Sequence, residues 1–269
     1  MSFVKLAFFF SSILLITACT KVIQVDLNKA NQRIVVDGTL ALAKKDSTDL
    51  QAVVRLSRTG SFYENNSFDT ISKANLYIKT PNGNSFPLHY VGKGVFENNA
   101  VPNGNTKDDY TLYGTIEGVK ISAKSSMPEF CSIDSIGAYY LPFGPPHKLS
   151  QLTPICFFTD IANEANYYRL EIKINGHQIE GLYISRDDGQ DGKMIAYPFI
   201  KVHILKGDTL NISLLSMDKA SFDYYKVLKQ NIGSGGFGAA PGNPNSNIEG
   251  DVIGVFTAQT VSSRTLIIR

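Results

Sequence analysis

The chain has 269 residues with 26 basic and 24 acidic side chains, so its formal net charge at neutral pH is +2. This near balance argues against nucleic-acid binding, which needs a clustered basic surface. The length suits one large or two smaller domains, and 13 Tyr, 16 Phe and 22 Gly without any Trp favour strands joined by turns.

The N-terminus has the order of an export signal. A basic residue precedes an apolar run over residues 6–16, and two small residues stand directly before Cys19. The run is shorter than the ~20 residues that a transmembrane helix needs. We therefore expect a lipoprotein signal peptide at 1–18, lipid attached to Cys19 and a polar tether over 19–32. An ordinary secretory signal that ends beside a cysteine is the alternative.

Short β-rich segments separated by turn residues fill residues 33–128. Residues 34–40 are a β-branched run, and residues 74–79 alternate apolar with polar side chains. Asn82 and Gly83 tolerate the positive φ of a tight turn. This pattern predicts an N-terminal immunoglobulin/transthyretin-like β-sandwich in a mainly β protein.

Four prolines fall within residues 129–154, and proline at this density predicts a crossing loop. A second β-rich unit is expected over 155–269. Its clearest strand is 167–174, where every second side chain is apolar. Residues 218–230 carry aromatic and aliphatic side chains at helical spacing, which predicts one short amphipathic helix packed on a sheet.

Several short motifs follow the signal in one order, and through them the chain resembles the Bacteroidetes lipoprotein family catalogued as domain of unknown function 4249. The resemblance runs from about Cys19 to the last residue. It implies an outer-membrane lipoprotein and, because many members are encoded beside TonB-dependent transporters, a role in capturing cargo for import; it implies no catalytic residues. The motifs are Ile34-Val35-Val36-Asp37-Gly38, Val54-Arg55-Leu56-Ser57, Tyr110-Thr111-Leu112, Met127-Pro128, Ile133-Asp134-Ser135, Tyr167-Tyr168-Arg169, Asp187-Asp188-Gly189-Gln190-Asp191-Gly192, Tyr224-Tyr225, Ser246-Asn247-Ile248 and Gly254-Val255-Phe256.

Cys131 and Cys156 are the cysteines that remain if Cys19 is lipidated. Outside the cytoplasm such a pair tends to oxidise, and a disulfide would clamp the crossing between the two units. Two buried, reduced cysteines in strands are the alternative. The sequence leaves both open because it gives no Cα separation.

Asp187, Asp188 and Asp191 are weak candidates for a calcium loop, because carboxylates at this spacing converge on a hard cation. The pattern departs from such a loop, since Gly189 stands at the third position and Pro198 where a closing glutamate belongs. We therefore predict a solvated turn and no metal.

Aromatic residues in two loops form a candidate surface for a ligand or partner. Tyr139, Tyr140 and Phe143 belong to the proline-rich stretch, and Phe237 stands among glycines. Loops mounted on a sandwich commonly carry binding groups, so these aromatics are expected to form a rim. A disordered connection is the alternative.

No catalytic centre is expected, because the four histidines are scattered singly and no Gly-x-Ser-x-Gly elbow occurs. We expect a non-catalytic, cofactor-free lipoprotein of the outer membrane, held to the membrane through Cys19. It would capture cargo for, or associate with, a TonB-dependent transporter. A surface scaffold or adhesion module is the alternative, and the sequence leaves the membrane face open.

Overall fold

The computed structural model describes residues 32–43, 49–60, 69–102, 104–140, 152–233 and 242–269. The expected signal peptide, Cys19 and the tether up to residue 31 lie outside these ranges. The described residues are mainly strand with one helix, which confirms the predicted fold class. In chain order they form β1 (Ile34–Leu42), β2 (Leu50–Arg58), β3 (Ala74–Lys79), β4 (Ser85–Pro87), β5 (His89–Gly92), β6 (Val95–Val101), β7 (Asp109–Ile116), β8 (Val119–Ser126), β9 (Ile133–Tyr140), β10 (Leu152–Thr159), β11 (Tyr167–Ile174), β12 (His177–Gln178), β13 (Tyr183–Arg186), β14 (Met194–Pro198), β15 (Thr209–Met217), α1 (Lys219–Gly233), β16 (Ile248–Glu249) and β17 (Val252–Ile267).

The described strands form three sheets. A nine-stranded sheet has the order β12, β11, β15, β17, β1, β2, β6, β5, and β13 also pairs with β11. A five-stranded sheet has the order β16, β8, β7, β3, β4, and a three-stranded sheet the order β14, β10, β9. The long strand β17 pairs in parallel with β1 and antiparallel with β15. Residues 33–128 and 155–269 therefore contribute strands to one common sheet.

Two glycines allow β1 and β17 to pair. Gly254 has a φ of +132°, and a Cβ there would lie 1.8 Å from the carbonyl oxygen of Val36. Gly38 lies against the ring of Phe256, where a Cβ would stand 3.1 Å from Cδ2. Glycine at position 254 provides both the positive φ and the close backbone approach. Two of the sequence motifs, one in β1 and one in β17, therefore meet in a single contact.

The five-stranded sheet packs face to face against β1, β2 and the first half of β17. Leu112 and Ile78 come from the smaller sheet, Val54 and Phe256 come from the larger one, and all four are fully buried in one core cluster. This arrangement confirms the predicted N-terminal β-sandwich. The sandwich also takes in β17 from the end of the chain.

The three-stranded sheet covers the same face of the nine-stranded sheet, farther along β17. Phe256 of β17 belongs to the core beneath the five-stranded sheet. Arg264, an even number of residues later and so on the same face, donates from Nε to the carbonyl oxygen of Ile133 in β9 at 2.9 Å. A second core lies between the three-stranded and the nine-stranded sheet. There Phe158 of β10 packs edge-on against Tyr168 of β11, with ring centroids 4.9 Å apart.

The stretch expected as an irregular crossing, residues 129–154, contains all of β9 and the start of β10. Pro154 lies inside β10, and its carbonyl oxygen accepts the N–H of Phe199 at 2.9 Å. An N–H group at position 154 would point to the same side of β10 as this carbonyl group. On that side β14 ends at Pro198, before it reaches position 154. Proline is tolerated at such a strand edge because no ladder bond is lost.

Helix α1 packs on the opposite face of the nine-stranded sheet. Asp218 caps it, since Oδ1 accepts the backbone N–H of Ser221 at 2.8 Å. Phe222 and Tyr225 pack with Val255, an odd-numbered residue of β17. The predicted helix is confirmed, and it extends to Gly233. Within the described ranges, no helix is long and apolar enough to cross a bilayer.

Candidate functional site

The aromatic rim expected from the sequence is only partly within the described residues, since Phe143 and Phe237 lie outside them. Tyr139 and Tyr140 end strand β9 and are 49% and 58% exposed. The Tyr139 ring meets Phe157 edge-on, with centroids 6.0 Å apart. The structure therefore shows two exposed tyrosines at a strand end.

Cys131 and Cys156 are buried free thiols in the structure. The thiol of Cys131 donates to the carbonyl oxygen of Thr159 at 3.3 Å. Burial raises the pKa of Cys131 to about 11 and that of Cys156 to about 12. At neutral pH both are protonated, so neither is poised as a nucleophile.

The acidic motif of the sequence is only partly brought together. Asp187 and Asp191 meet a third carboxylate, the buried Asp160, with one oxygen of each within 4.8 Å of the others. Asp188 instead forms an ion pair with Arg186. We call Asp160, Asp187 and Asp191 the loop cluster. Its oxygens are of the type that a calcium ion prefers.

Every carboxylate of the loop cluster accepts a hydrogen bond from its own chain. Asp160 accepts the hydroxyl of Tyr168 at 2.7 Å and the N–H of Gly192 at 3.1 Å. Asp187 and Asp191 accept backbone N–H groups of the facing loop at 3.2 and 2.8 Å. Burial raises the pKa of Tyr168, and its bond to Asp160 adds to this. These bonds fasten loop 160–166 to loop 187–193.

A groove of about 480 Å³ crosses the outer face of the five-stranded sheet, away from the core. Cross-strand neighbours from β3, β7, β8 and β16 line it in two rows. We call it the outer-face groove; the first row is Tyr77, Tyr113, Ser122 and Glu249, and the second row is Asn75, Thr115 and Lys120.

The two tyrosines of the groove form a pair. Their rings are stacked, with centroids 5.6 Å apart and planes 21° from parallel, and both side chains are half-buried. Tyr77 and Tyr113 lie directly opposite each other on neighbouring strands, where aromatic pairs stabilise a sheet. The alternation of both strands already places these residues outward, but the sequence gives no register that would join them.

Two glycines shape the groove. A Cβ on Gly114 would lie 2.6 Å from the carbonyl oxygen of Asn75. Gly250 has a φ of +118°, and a Cβ there would lie 2.6 Å from the carbonyl oxygen of Lys120. Glycine therefore lets β7 approach β3, and lets the turn after β16 close one end of the groove.

Several polar groups of the groove have no partner among the residues that the structure describes. Ser122 donates from Oγ to Glu249 Oε2 at 2.7 Å, which orients that carboxylate. Asn75, Thr115 and Lys120 make no side-chain hydrogen bond or ion pair with any residue that the structure describes. All three are solvent-exposed. An amide, a hydroxyl and an ammonium group are therefore free for a ligand or for water.

A smaller cleft of about 220 Å³ lies where residues 126–129, 164–167 and 216–219 meet. The Lys107 ammonium is 3.1 Å from Glu129 Oε1 and 3.7 Å from Glu164 Oε2, so the rim residues pair with one another. The hydroxyl of Ser216 is buried in the wall without a partner in the described structure. This cleft is less than half the volume of the groove.

A family model described as domain of unknown function (DUF4249) matches residues 20–265 of the chain. No curated protein matches this chain. Among solved structures, the two fibronectin type-III domain segment from chicken tenascin aligns with 67% of this chain and 91% of its own, at 13% identity and a TM-score of 0.21.

Proposed function

This chain belongs to the DUF4249 family, and we propose that it is a non-catalytic, lipid-anchored protein of the outer membrane that captures cargo for, or associates with, a TonB-dependent transporter. The order of the N-terminal residues before Cys19 supports the lipid anchor. The protein beyond the anchor then acts by binding.

The outer-face groove is the observation that carries the binding proposal. It combines a half-buried aromatic pair with polar groups that have no partner among the described residues. Binding sites commonly have this composition, in which aromatic surface contributes affinity and a few polar groups fix orientation. A surface used only for solubility needs no such pairing of rings with free donors.

The groove has the groups for binding and lacks those for hydrolysis. Hydrolysis of a glycosidic bond commonly uses two facing carboxyl groups, whereas the groove lining holds a single carboxylate, Glu249. Nucleophilic catalysis needs a nucleophile whose base is in turn oriented by a third group. Ser122 donates to Glu249, but no other residue that the structure describes bonds to that carboxylate.

The anchor is tested by mass spectrometry of the mature protein from membrane fractions. We expect its first residue to be an acylated Cys19, and we expect Cys19→Ser to lose both the lipid and the outer-membrane fraction. Cys131→Ser is the matched control and keeps the lipid. Recovery of the wild-type chain in the cytosol, or an unmodified Cys19, contradicts the proposal.

The partner is tested by crosslinking in intact cells of the native host, followed by purification and mass spectrometry. We expect a TonB-dependent transporter to be enriched with the wild-type chain relative to Cys19→Ser. Equal recovery from both contradicts the association. A deletion strain that lost cell attachment while transport stayed normal would favour the adhesion module instead.

A further inference from the structure

We propose that the outer-face groove binds a neutral oligosaccharide, an inference that rests on the proposed cargo-capturing function and names the class of cargo. The size, the aromatic pair and the free polar groups of the groove each match this ligand. All residues that line the groove lie within the described ranges.

The groove has the length of a short oligosaccharide. Its first row runs from Tyr77 in β3 to Glu249 in β16, and each neighbour in the row is one strand away. Three strand spacings amount to about 14 Å. The row lies across the strands on an open sheet face, so a linear chain of sugar rings can lie along it from the solvent side.

The tyrosine pair supplies the apolar contact that sugars use. One face of a pyranose ring presents mainly C–H bonds, and these pack against the negative face of an aromatic ring. Tyr77 and Tyr113 are half-buried, so each ring is held in place and still contacts solvent. Their hydroxyl groups have no partner among the described residues and can bond to sugar hydroxyls.

Polar groups on both sides of the pair match neighbouring hydroxyls of a sugar. Glu249 accepts hydrogen bonds, and the bond from Ser122 fixes its carboxylate. Lys120 only donates, whereas Asn75 both donates and accepts. A sugar hydroxyl also both donates and accepts, so it can form hydrogen bonds with the polar groups on either side of the groove.

The charge balance of the groove selects against other ligand classes. Lys120 and Glu249 are the ionisable groups of its two rows apart from the phenols, and their charges cancel. A nucleic acid or acidic polysaccharide needs a basic surface. A lipid or an apolar peptide needs aliphatic surface, and the one aliphatic side chain of the lining, Ile121, is buried.

The inference is tested on the purified chain with an array of neutral and acidic oligosaccharides, followed by calorimetric titration of the strongest neutral binder. We expect neutral glycans to bind, and we expect Tyr113→Ala to weaken binding by about tenfold or more, or 1.4 kcal/mol per factor of ten. Tyr113→Phe keeps the ring and loses less. Tyr90→Ala removes an exposed tyrosine outside the groove and is expected to bind as the wild type does.

Unfolding midpoints of all variants check that the fold is intact, and Lys120→Ala provides a second, solvent-exposed substitution that should also weaken binding. Binding of acidic glycans alone, or of none, overturns the oligosaccharide inference. So does neutral binding that survives both Tyr113→Ala and Lys120→Ala. The crosslinking result is independent, so recovery of a transporter without glycan binding leaves the proposed function standing and removes only this inference.

Discussion

The outer-face groove and the loop cluster are both polar, but they differ in where their hydrogen bonds go. In the loop cluster, Asp160 accepts the Tyr168 hydroxyl at 2.7 Å, and all three carboxylates accept donors from the chain itself. In the groove, Asn75, Thr115 and Lys120 have no side-chain partner within the described residues. The loop cluster therefore uses its polar groups to hold the fold together, whereas the groove leaves them to solvent or ligand.

A concentration of charge is therefore a poor guide to a binding site. The Asp-rich motif at 187–192 attracts attention in the sequence, yet Asp187 and Asp191 accept backbone N–H groups and Asp188 pairs with Arg186. The groove residues are unremarkable in the sequence and are scattered over four strands. Four predictions test whether the distinction holds.

The largest expected effect follows from removing Asp160. Asp160→Ala leaves the buried Tyr168 hydroxyl without its closest acceptor and frees loop 187–193, so we expect the free energy of unfolding to fall by about 3 kcal/mol. Urea denaturation measures it. Asp188→Ala is the matched control, because Asp188 is exposed and lies outside the cluster; we expect a change of at most about 0.5 kcal/mol. Equal losses would mean that the cluster is not structural.

The second prediction concerns the thiols beneath the loop cluster. Burial raises the pKa of Cys131 from 9.0 to about 11, which lowers its thiolate fraction about a hundredfold. We expect Cys131 and Cys156 to resist a thiol reagent at pH 8 in the folded Cys19→Ser chain. Two thiols should react after unfolding in denaturant without reductant. A count of zero would show that the pair is bridged.

The third prediction perturbs the groove through its backbone. Gly250→Ala puts a Cβ against the carbonyl oxygen of Lys120 at a φ of +118°, and such strain costs about 2 kcal/mol. We expect lower stability and weaker glycan binding together. Gly83→Ala is the control that places a Cβ at a positive φ without a steric clash, because a Cβ at Gly83 would have no neighbour within 4 Å. Binding that matched the wild type in Gly250→Ala would argue against the groove.

The smallest effect is a pH dependence at the cleft rim. The bond from the Lys107 ammonium holds the pKa of Glu129 below its usual 4.5. A lowered carboxyl pKa adds stability above that usual value, and the contribution is lost as pH falls through the lowered pKa. Glu129→Gln should therefore be less stable at pH 7, by about 0.5 kcal/mol because the pair is partly exposed. The difference should shrink as pH falls through the lowered pKa of Glu129, and a difference that grew in acid would contradict this prediction.

Local patterns in the sequence were sufficient for the fold class and for the helix. Strand 167–174 alternates, and Asp218 caps a helix whose aromatic residues recur at helical spacing. The pairing of β1 with β17 could not be predicted, because the two strands lie at opposite ends of the chain and periodicity carries no register. Gly38 and Gly254 stand out in the sequence only as parts of two separate motifs, and the sequence does not show that these motifs meet.

The candidate site was missed for the same reason. Tyr77 and Tyr113 each stand at outward positions of alternating strands, but only the β3–β7 register makes them a pair. Asp160 was overlooked because it joins Asp187 across two loops. Proximity within the sequence instead favoured Asp188, whose partner is Arg186.

A crystal structure of the chain soaked with the tightest-binding neutral oligosaccharide would show whether the outer-face groove is the binding surface. We predict sugar rings along the first row of the groove, packed on Tyr113 and bonded to Glu249. Sugar seated instead in the smaller cleft beside Ser216, or at the exposed tyrosines that end β9, would contradict the assignment of the groove as the binding surface.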